Sequence, residues 1–132
     1  MNQKIIIASG PVIVEHNKVL LNQHGDSNEW KFCGGKVENF EENLIKTAER
    51  EVKEEMGIEI DVLLEEPFIT YRKKETEQGA VDVILVHYGA RRVGEIKPGP
   101  DIRAWNWFEL DQLPDNLAPN IIPALKHFGY LK

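Results

Sequence analysis

Glu51, Glu54 and Glu55 stand at i, i+3 and i+4 just ahead of Gly57, a spacing that places three carboxylates in one arc of a helix. On a wheel of about 100° per residue over Asn43 to Met56, Leu44, Ile45, Ala48, Val52 and Met56 fill an arc of about 120°, the expected buried face. The glutamates fill an adjoining arc that overlaps its edge, while Lys46, Glu49, Arg50 and Lys53 take the solvated side. Like charges at this spacing cost a helix about 0.2–0.5 kcal/mol, and partial burial raises the cost. A cation is therefore expected to offset them. Convergent carboxylates offer only hard oxygen donors, which suit Mg²⁺ or Mn²⁺ and leave positions for water and phosphate oxygens. Zinc fits such a donor set poorly.

Other elements must position this helix. Lys4 to Glu15 reads as a strand interrupted at Gly10-Pro11, and Glu15 to Lys18 as a hairpin turn into Val19-Leu20-Leu21. Gln23 to Asn28 reads as an exposed loop, followed by a short strand Trp30-Lys31-Phe32 that delivers the pair Gly34-Gly35. Ile58 to Leu64, Phe68 to Tyr71, Val81 to Ala90 and Ala104 to Phe108 are expected strands, and the near-continuous hydrophobicity of the third predicts burial on both faces. Glu95 to Asp101, with Pro98, Gly99 and Pro100, is a loop, and Ile121 to Phe128 a closing helix. Periodicity alone supports α/β or α+β.

The run from Gly34 to Ile58, GGKVENFEENLIKTAEREVKEEMGI, resembles the Nudix box. That motif is Gly, five residues, Glu, seven residues, Arg-Glu, an aliphatic residue, any residue, Glu-Glu, any residue, Gly and an aliphatic residue. Its C-terminal half is matched in full by Arg50-Glu51-Val52-Lys53-Glu54-Glu55-Met56-Gly57-Ile58. Its N-terminal half carries one extra residue between Gly35 and Arg50. Counting forward from Gly35 selects Glu41 as the first box glutamate, and counting back from Arg50 selects Glu42; the loop Glu38-Asn39-Phe40-Glu41 resembles the family's Glu-Pro-Gly-Glu turn and favours Glu41. Arg103 to Pro114 is similar to the family's closing pattern of Trp-Phe followed by Leu-Asp-Glu-Leu-Pro.

The resemblance implies an α/β fold, an α/β/α sandwich with a mixed β-sheet between the box helix and a C-terminal helix, as a single domain over residues 1–132. It implies a pyrophosphohydrolase using Mg²⁺ or Mn²⁺ on a small nucleoside diphosphate-X substrate: a nucleoside triphosphate, or ADP-ribose or another nucleotide sugar. Glu51, Glu54 and Glu55 would be metal ligands, joined by the Gly35 carbonyl, with Arg50 orienting the carboxylates. Glu38 and Glu41 or Glu42 would hold a further metal or shape the turn. The general base stays open among Glu51, Glu55, Glu95 and Asp101. A homodimer is common in the family. The alternative is a non-catalytic nucleotide-sensing module of the same fold: the retained Glu51, Glu54 and Glu55 favour the enzyme, and the extra residue, which could displace the Gly35 carbonyl, favours the sensor. The proline and tyrosine that mark ADP-ribose and dinucleoside polyphosphate subfamilies are replaced by Lys73 and Glu75.

No residue is assigned to substrate binding from sequence. Tyr71, Phe68 and Trp105 could stack on a base or belong to the core. Arg72-Lys73-Lys74 could meet phosphates but reads more readily as a solvated turn. His16, His24, His87 and His127 show no ligand spacing, and Cys33 reads as a small buried residue more readily than as a catalytic thiol.

With 132 residues, 42% hydrophobic and 29% charged, the chain is long enough to bury a sizeable core. One cysteine excludes an intramolecular disulfide and a cysteine-based zinc site. A net charge of −6 argues against a nucleic-acid polymer as partner, because such binding rests on Lys and Arg neutralising phosphates. A small phosphorylated molecule stays compatible, since a bound metal inverts the local field. No segment reaches the length of a membrane span and no signal peptide is apparent, so the cytoplasm is the expected compartment.

Overall fold

The computed structural model of the chain describes residues 4–40 and 42–132. In chain order the elements are β1 (Lys4–Glu15), β2 (Lys18–His24), β3 (Gly35–Lys36), α1 (Leu44–Met56), β4 (Glu59–Val62), β5 (Phe68–Thr76), β6 (Gly79–Val93), β7 (Ile102–Glu109) and α2 (Ile121–His127). The strands form one mixed seven-stranded sheet in the order β4-β6-β1-β2-β7, with β3 beside β1 and β5 beside β6. It is the α/β arrangement expected from sequence, with α1 and α2 on opposite faces.

β1 and β2 join through His16 and Asn17, whose φ angles of 51° and 65° place both in the left-handed region. A two-residue turn of that kind matches the twist of its strands and fixes Val14 opposite Val19. The expected break at Gly10-Pro11 does not occur. β1 runs through it because the strand lies parallel to β6 in continuous register from Lys4–Val81 to Ile13–Ala90, Pro11 facing Tyr88. Three further expectations are corrected. β2 continues to His24, paired with β7, where a loop was expected from Gln23. Trp30 and Lys31 make only isolated bridges, to Leu117 and Asn22, where a strand was expected. Arg72, Lys73 and Lys74 lie on β5, which extends past Tyr71 by pairing with Val83, Asp82 and Val81 of β6.

Asn43 caps α1, its side chain accepting from the Lys46 N–H at 2.8 Å, and Gly57 at φ 71° ends it. The buried residues are Thr47, Ala48, Val52, Glu55 and Met56, with Leu44 and Ile45 only half-buried. The buried stripe therefore sits closer to the glutamates than the wheel suggests. Val52 and Met56 are wholly buried, each stabilising the fold by about 1.5–3 kcal/mol. They join Ile13, Leu20, Ile58, Ile60 and Ala90 in a core between α1 and the sheet. On the other face Val12, Val19, Leu21 and Phe32 pack with Ile121, Ala124 and Leu125 of α2. Among the described residues, no helix is long and apolar enough to cross a membrane.

Candidate functional site

The three glutamates of α1 emerge beside Gly34 and Gly35, which the pairing of β3 with Ala8 and Ser9 of β1 holds over the helix. Approach here is close: a Cβ on Gly35 would lie 2.5–2.9 Å from the Glu51 carboxylate. Only glycine leaves that carboxylate in place. Exposure rises along the helix surface, from 8% for the Glu55 side chain to 16% for Glu51 and 63% for Glu54.

Glu55 is the most tightly held. Its Oε1 accepts from Asn22 Nδ2 at 2.9 Å and from the Gly34 N–H at 3.1 Å, and its Oε2 lies 2.9 Å from His24 Nε2. Asn22 is fully buried and His24 half-exposed, both projecting from β2 toward the helix. The hydrogen bond to Glu55 raises the His24 pKa above its usual value, outweighing partial burial. Burial raises the Glu51 pKa, with the Arg50 charge opposing it. Arg50 lies 3.3 Å from Glu42, 3.4 Å from Glu51 and 3.7 Å from Glu54, so one guanidinium spans three carboxylates. Glu41, favoured above as the first box glutamate, lies outside the described residues. Glu42 is the one whose pairing with Arg50 is described.

A cavity of about 240 Å³ opens here, lined by Glu38, Glu51, Glu54, Glu55 and Asp101, with His24, Gly34, Gly35 and Lys36. Five carboxylates thus face one small space. Of the two downstream candidates for a base, Asp101 reaches this cavity and Glu95 does not. Among the described residues no three acidic, His or Cys groups already stand as a closed ligand cluster. Each of the three helix carboxylates at the cavity already has a protein partner: Arg50 pairs with Glu51 and Glu54, and Asn22, the Gly34 N–H and His24 hold Glu55.

A second cavity, of about 380 Å³, adjoins the first and shares His24, Gly34, Gly35 and Lys36 with it. Its floor is one face of the β1-β6-β5 sheet, from which Ile6, Ala8, Val83, Leu85 and His87 point in with Arg72 and Lys74. Phe32, Cys33, Ala118 and Asn120 form the far side. Lys31, Lys36, Arg72 and Lys74 contribute positive charge, and none has an ion-pair partner among the described residues. The Arg72 Nε is buried and unpartnered. The basic run read as a solvated turn therefore presents alternate residues to a cavity, as strand geometry requires.

Tyr71, Phe68 and Trp105 do not line this cavity. Tyr71 faces the opposite side of the sheet and donates to Asp82, and Phe68 stacks on His127 at 4.5 Å. Of the aromatic rings that do line the cavity, His24, Phe32 and His87, the last two meet edge to face at 4.8 Å. Cys33 is buried, its thiol pushed well above the usual range by desolvation and accepting from Asn22 Nδ2, so it offers no nucleophile. Asn22, His24, His87 and Asn120 were missed from sequence as site residues. The available signal was His87, a polar group in register with Val81, Val83 and Leu85 on an apolar face.

The model of the NUDIX domain family matches residues 5–128. The MutT NUDIX hydrolase from Burkholderia pseudomallei is 26% identical, with a TM-score of 0.75 over 94% of this chain and 98% of that one. The MutT protein from Methanosarcina mazei Go1 is 25% identical, with a TM-score of 0.69 over 97% and 95% of the two chains. An ADP-ribose pyrophosphatase from Streptococcus suis 89-1591 is 25% identical, with a TM-score of 0.59 over 83% and 77%. No curated protein matches the sequence. With the match spanning nearly the whole chain and the box carboxylates gathered at one cavity, this chain belongs to the Nudix family of pyrophosphohydrolases.

Proposed function

We propose that the chain hydrolyses the pyrophosphate linkage of a small nucleoside diphosphate-X substrate whose phosphates lie over the acidic cavity and whose base enters the larger one. The observation that carries this reading is the wall that the two cavities share. His24, Gly34, Gly35 and Lys36 line both, so a ligand of nucleotide size crosses from an apolar, cation-edged space to five carboxylates without a break.

The donor set fits a hard divalent cation. Glu51, Glu54 and Glu55 are oxygen donors beside the Gly35 backbone, and five carboxylates in about 240 Å³ repel one another unless a cation offsets them. Mg²⁺ or Mn²⁺ held there would neutralise phosphate charge and lower the pKa of an attacking water. The chain's own residues do the rest. Arg50 steadies Glu51 and Glu54 from the solvent side, while Asn22 and the Gly34 N–H fix Glu55 from the core side. Lys36, on the wall the two cavities share, would meet phosphate oxygens, and Arg72 adds positive charge from within the larger cavity. Glu51 and Asp101, both lining the acidic cavity, are the carboxylates best placed to take the proton of the water. The substrate class is a nucleoside triphosphate or a nucleotide sugar such as ADP-ribose, in keeping with relatives named MutT and ADP-ribose pyrophosphatase.

The test is release of phosphate or pyrophosphate from nucleoside triphosphates, ADP-ribose, nucleotide sugars and dinucleoside polyphosphates, with Mg²⁺, Mn²⁺ or chelator. Turnover of one class that chelator abolishes is expected. One observation favours a second reading, a nucleotide-binding module without catalysis: both oxygens of Glu55 are already engaged by protein donors. Nucleotide binding without turnover under every metal would select it.

A further inference from the structure

His87 lies on β6 at the inner end of the larger cavity, buried, and makes two hydrogen bonds of fixed polarity. Its Nδ1 is 3.2 Å from the Gly10 carbonyl oxygen, and its Nε2 is 2.9 Å from Asn120 Nδ2. A backbone carbonyl only accepts, so Nδ1 carries the hydrogen. Burial keeps the ring neutral by pushing its pKa down to about 4, and a neutral ring with hydrogen on Nδ1 has only a lone pair at Nε2. Asn120 must then turn its NH₂ group, not its oxygen, toward His87. The chain of donors runs one way, from Asn120 through His87 to Gly10.

Asn120 departs from what its place in the fold would ask of it. It stands at the N-cap of α2, where an Asn side chain ordinarily accepts from a helix N–H, yet it makes no capping bond. Its carboxamide goes to His87 instead, and its Oδ1 has no partner among the described residues. The side chain lines a cavity whose inner surface is otherwise Ile6, Ala8, Phe32, Val83, Leu85 and Ala118.

We propose that His87 is a positioning residue for substrate choice: by accepting from Asn120 it locks that carboxamide, so that Oδ1 and the second N–H offer one acceptor beside one donor to the base. This inference rests on the reading of the larger cavity as the base site. A locked amide tells apart the two orders of donor and acceptor on a base edge, an exocyclic amino group beside a bare ring nitrogen against an exocyclic oxo group beside a ring N–H, whereas a free amide adapts to either by turning over. A correctly paired bidentate contact is worth roughly tenfold or more in discrimination.

The test combines ring tautomer with base preference. In ¹⁵N NMR spectra of the free protein near neutral pH, His87 is expected to show protonated Nδ1 and an unprotonated Nε2; an Nε2–H tautomer overturns the proposal. Base preference is then measured as ratios of kcat/KM across the four common nucleobases carried on the preferred phosphate group. His87→Phe keeps a ring in place but removes the acceptor, and is expected to flatten the preference about tenfold, with KM rising more than kcat falls. His87→Gln, which sets an amide oxygen near the Nε2 position, is expected to restore it. Preference unchanged in His87→Phe, or lost equally in His87→Gln, overturns the proposal. Should the wild-type chain turn over no nucleotide, the hydrolase reading fails by itself, and the same variant pattern is expected in dissociation constants for the nucleotides.

Discussion

His87 also gives the protein a distinctive dependence of stability on pH. In the unfolded chain the imidazole titrates at its ordinary 6.5, and in the folded protein at about 4, because burial disfavours the charged ring. Between these values the unfolded state binds a proton that the folded state does not, so the free energy of unfolding, and with it stability, falls as pH falls. The contribution is complete above 6.5 and gone below about 4. A gap of about 2.5 pH units at about 1.36 kcal/mol per unit amounts to about 3 kcal/mol, of which about 2 kcal/mol is lost by pH 5. Urea unfolding free energies at several pH values from 7.5 to 4.5 would be compared between wild type and His87→Gln, which cannot titrate. Other groups, including the His24–Glu55 pair, are common to both proteins and cancel in the difference. The wild-type curve is expected to fall more steeply, the two converging by about 2 kcal/mol between pH 6.5 and 5. Parallel curves with a constant offset would refute the argument that the ring is held neutral by burial.

Four further outcomes follow from the site. Glu54→Gln, at an exposed carboxylate, is expected to lower turnover by about a hundredfold or more while the thermal midpoint stays in place; undiminished activity would remove Glu54 from the ligand set. Gly35→Ala drives a methyl group into the Glu51 carboxylate and should cost about a hundredfold in kcat, with near-wild-type circular dichroism. Arg72→Gln is expected to raise KM about tenfold without destabilising the fold, since the guanidinium has no ion-pair partner among the described residues; an unchanged KM would place the nucleotide elsewhere. Glu41→Gln and Glu42→Gln, assayed together, decide the register of the box: a loss confined to Glu42→Gln would make its pairing with Arg50 the functional one.

What could be read from sequence was mostly local. Asn43, the apolar stripe and Gly57 delimit α1 by short-range rules, and the turn at His16-Asn17 follows from its place between two apolar runs. The box spacing places Glu51, Glu54 and Glu55 at the edge of that stripe. Which of them is buried was not legible, because the donors that hold Glu55 come from β2 and the glycine turn, remote in the chain. The same reason hides Asn120 and His87, a pair separated by 33 residues with no periodic relation. Arg72 and Lys74 were misread for a different reason. Their strand alternates charged residues on both faces, so it lacks the apolar signal that marks a half-buried strand, and only its pairing with β6 settles it.

The hairpin of β1 and β2 has a consequence for how this site can change. Along β2, Val19 and Leu21 pack toward α2, while Leu20, Asn22 and His24 turn toward α1 and its glutamates. Strand alternation makes that division all or none: a shift of one residue would send Leu20, Asn22 and His24 to the wrong side together and bring Val19, Leu21 and Gln23 in their place. The chemistry of Glu55 is thus written partly in the length of a two-residue turn far from it. One residue gained or lost at His16-Asn17 should silence the site more thoroughly than any single side-chain replacement within it, and lineages of this chain are expected to vary the turn's residues far more freely than their number.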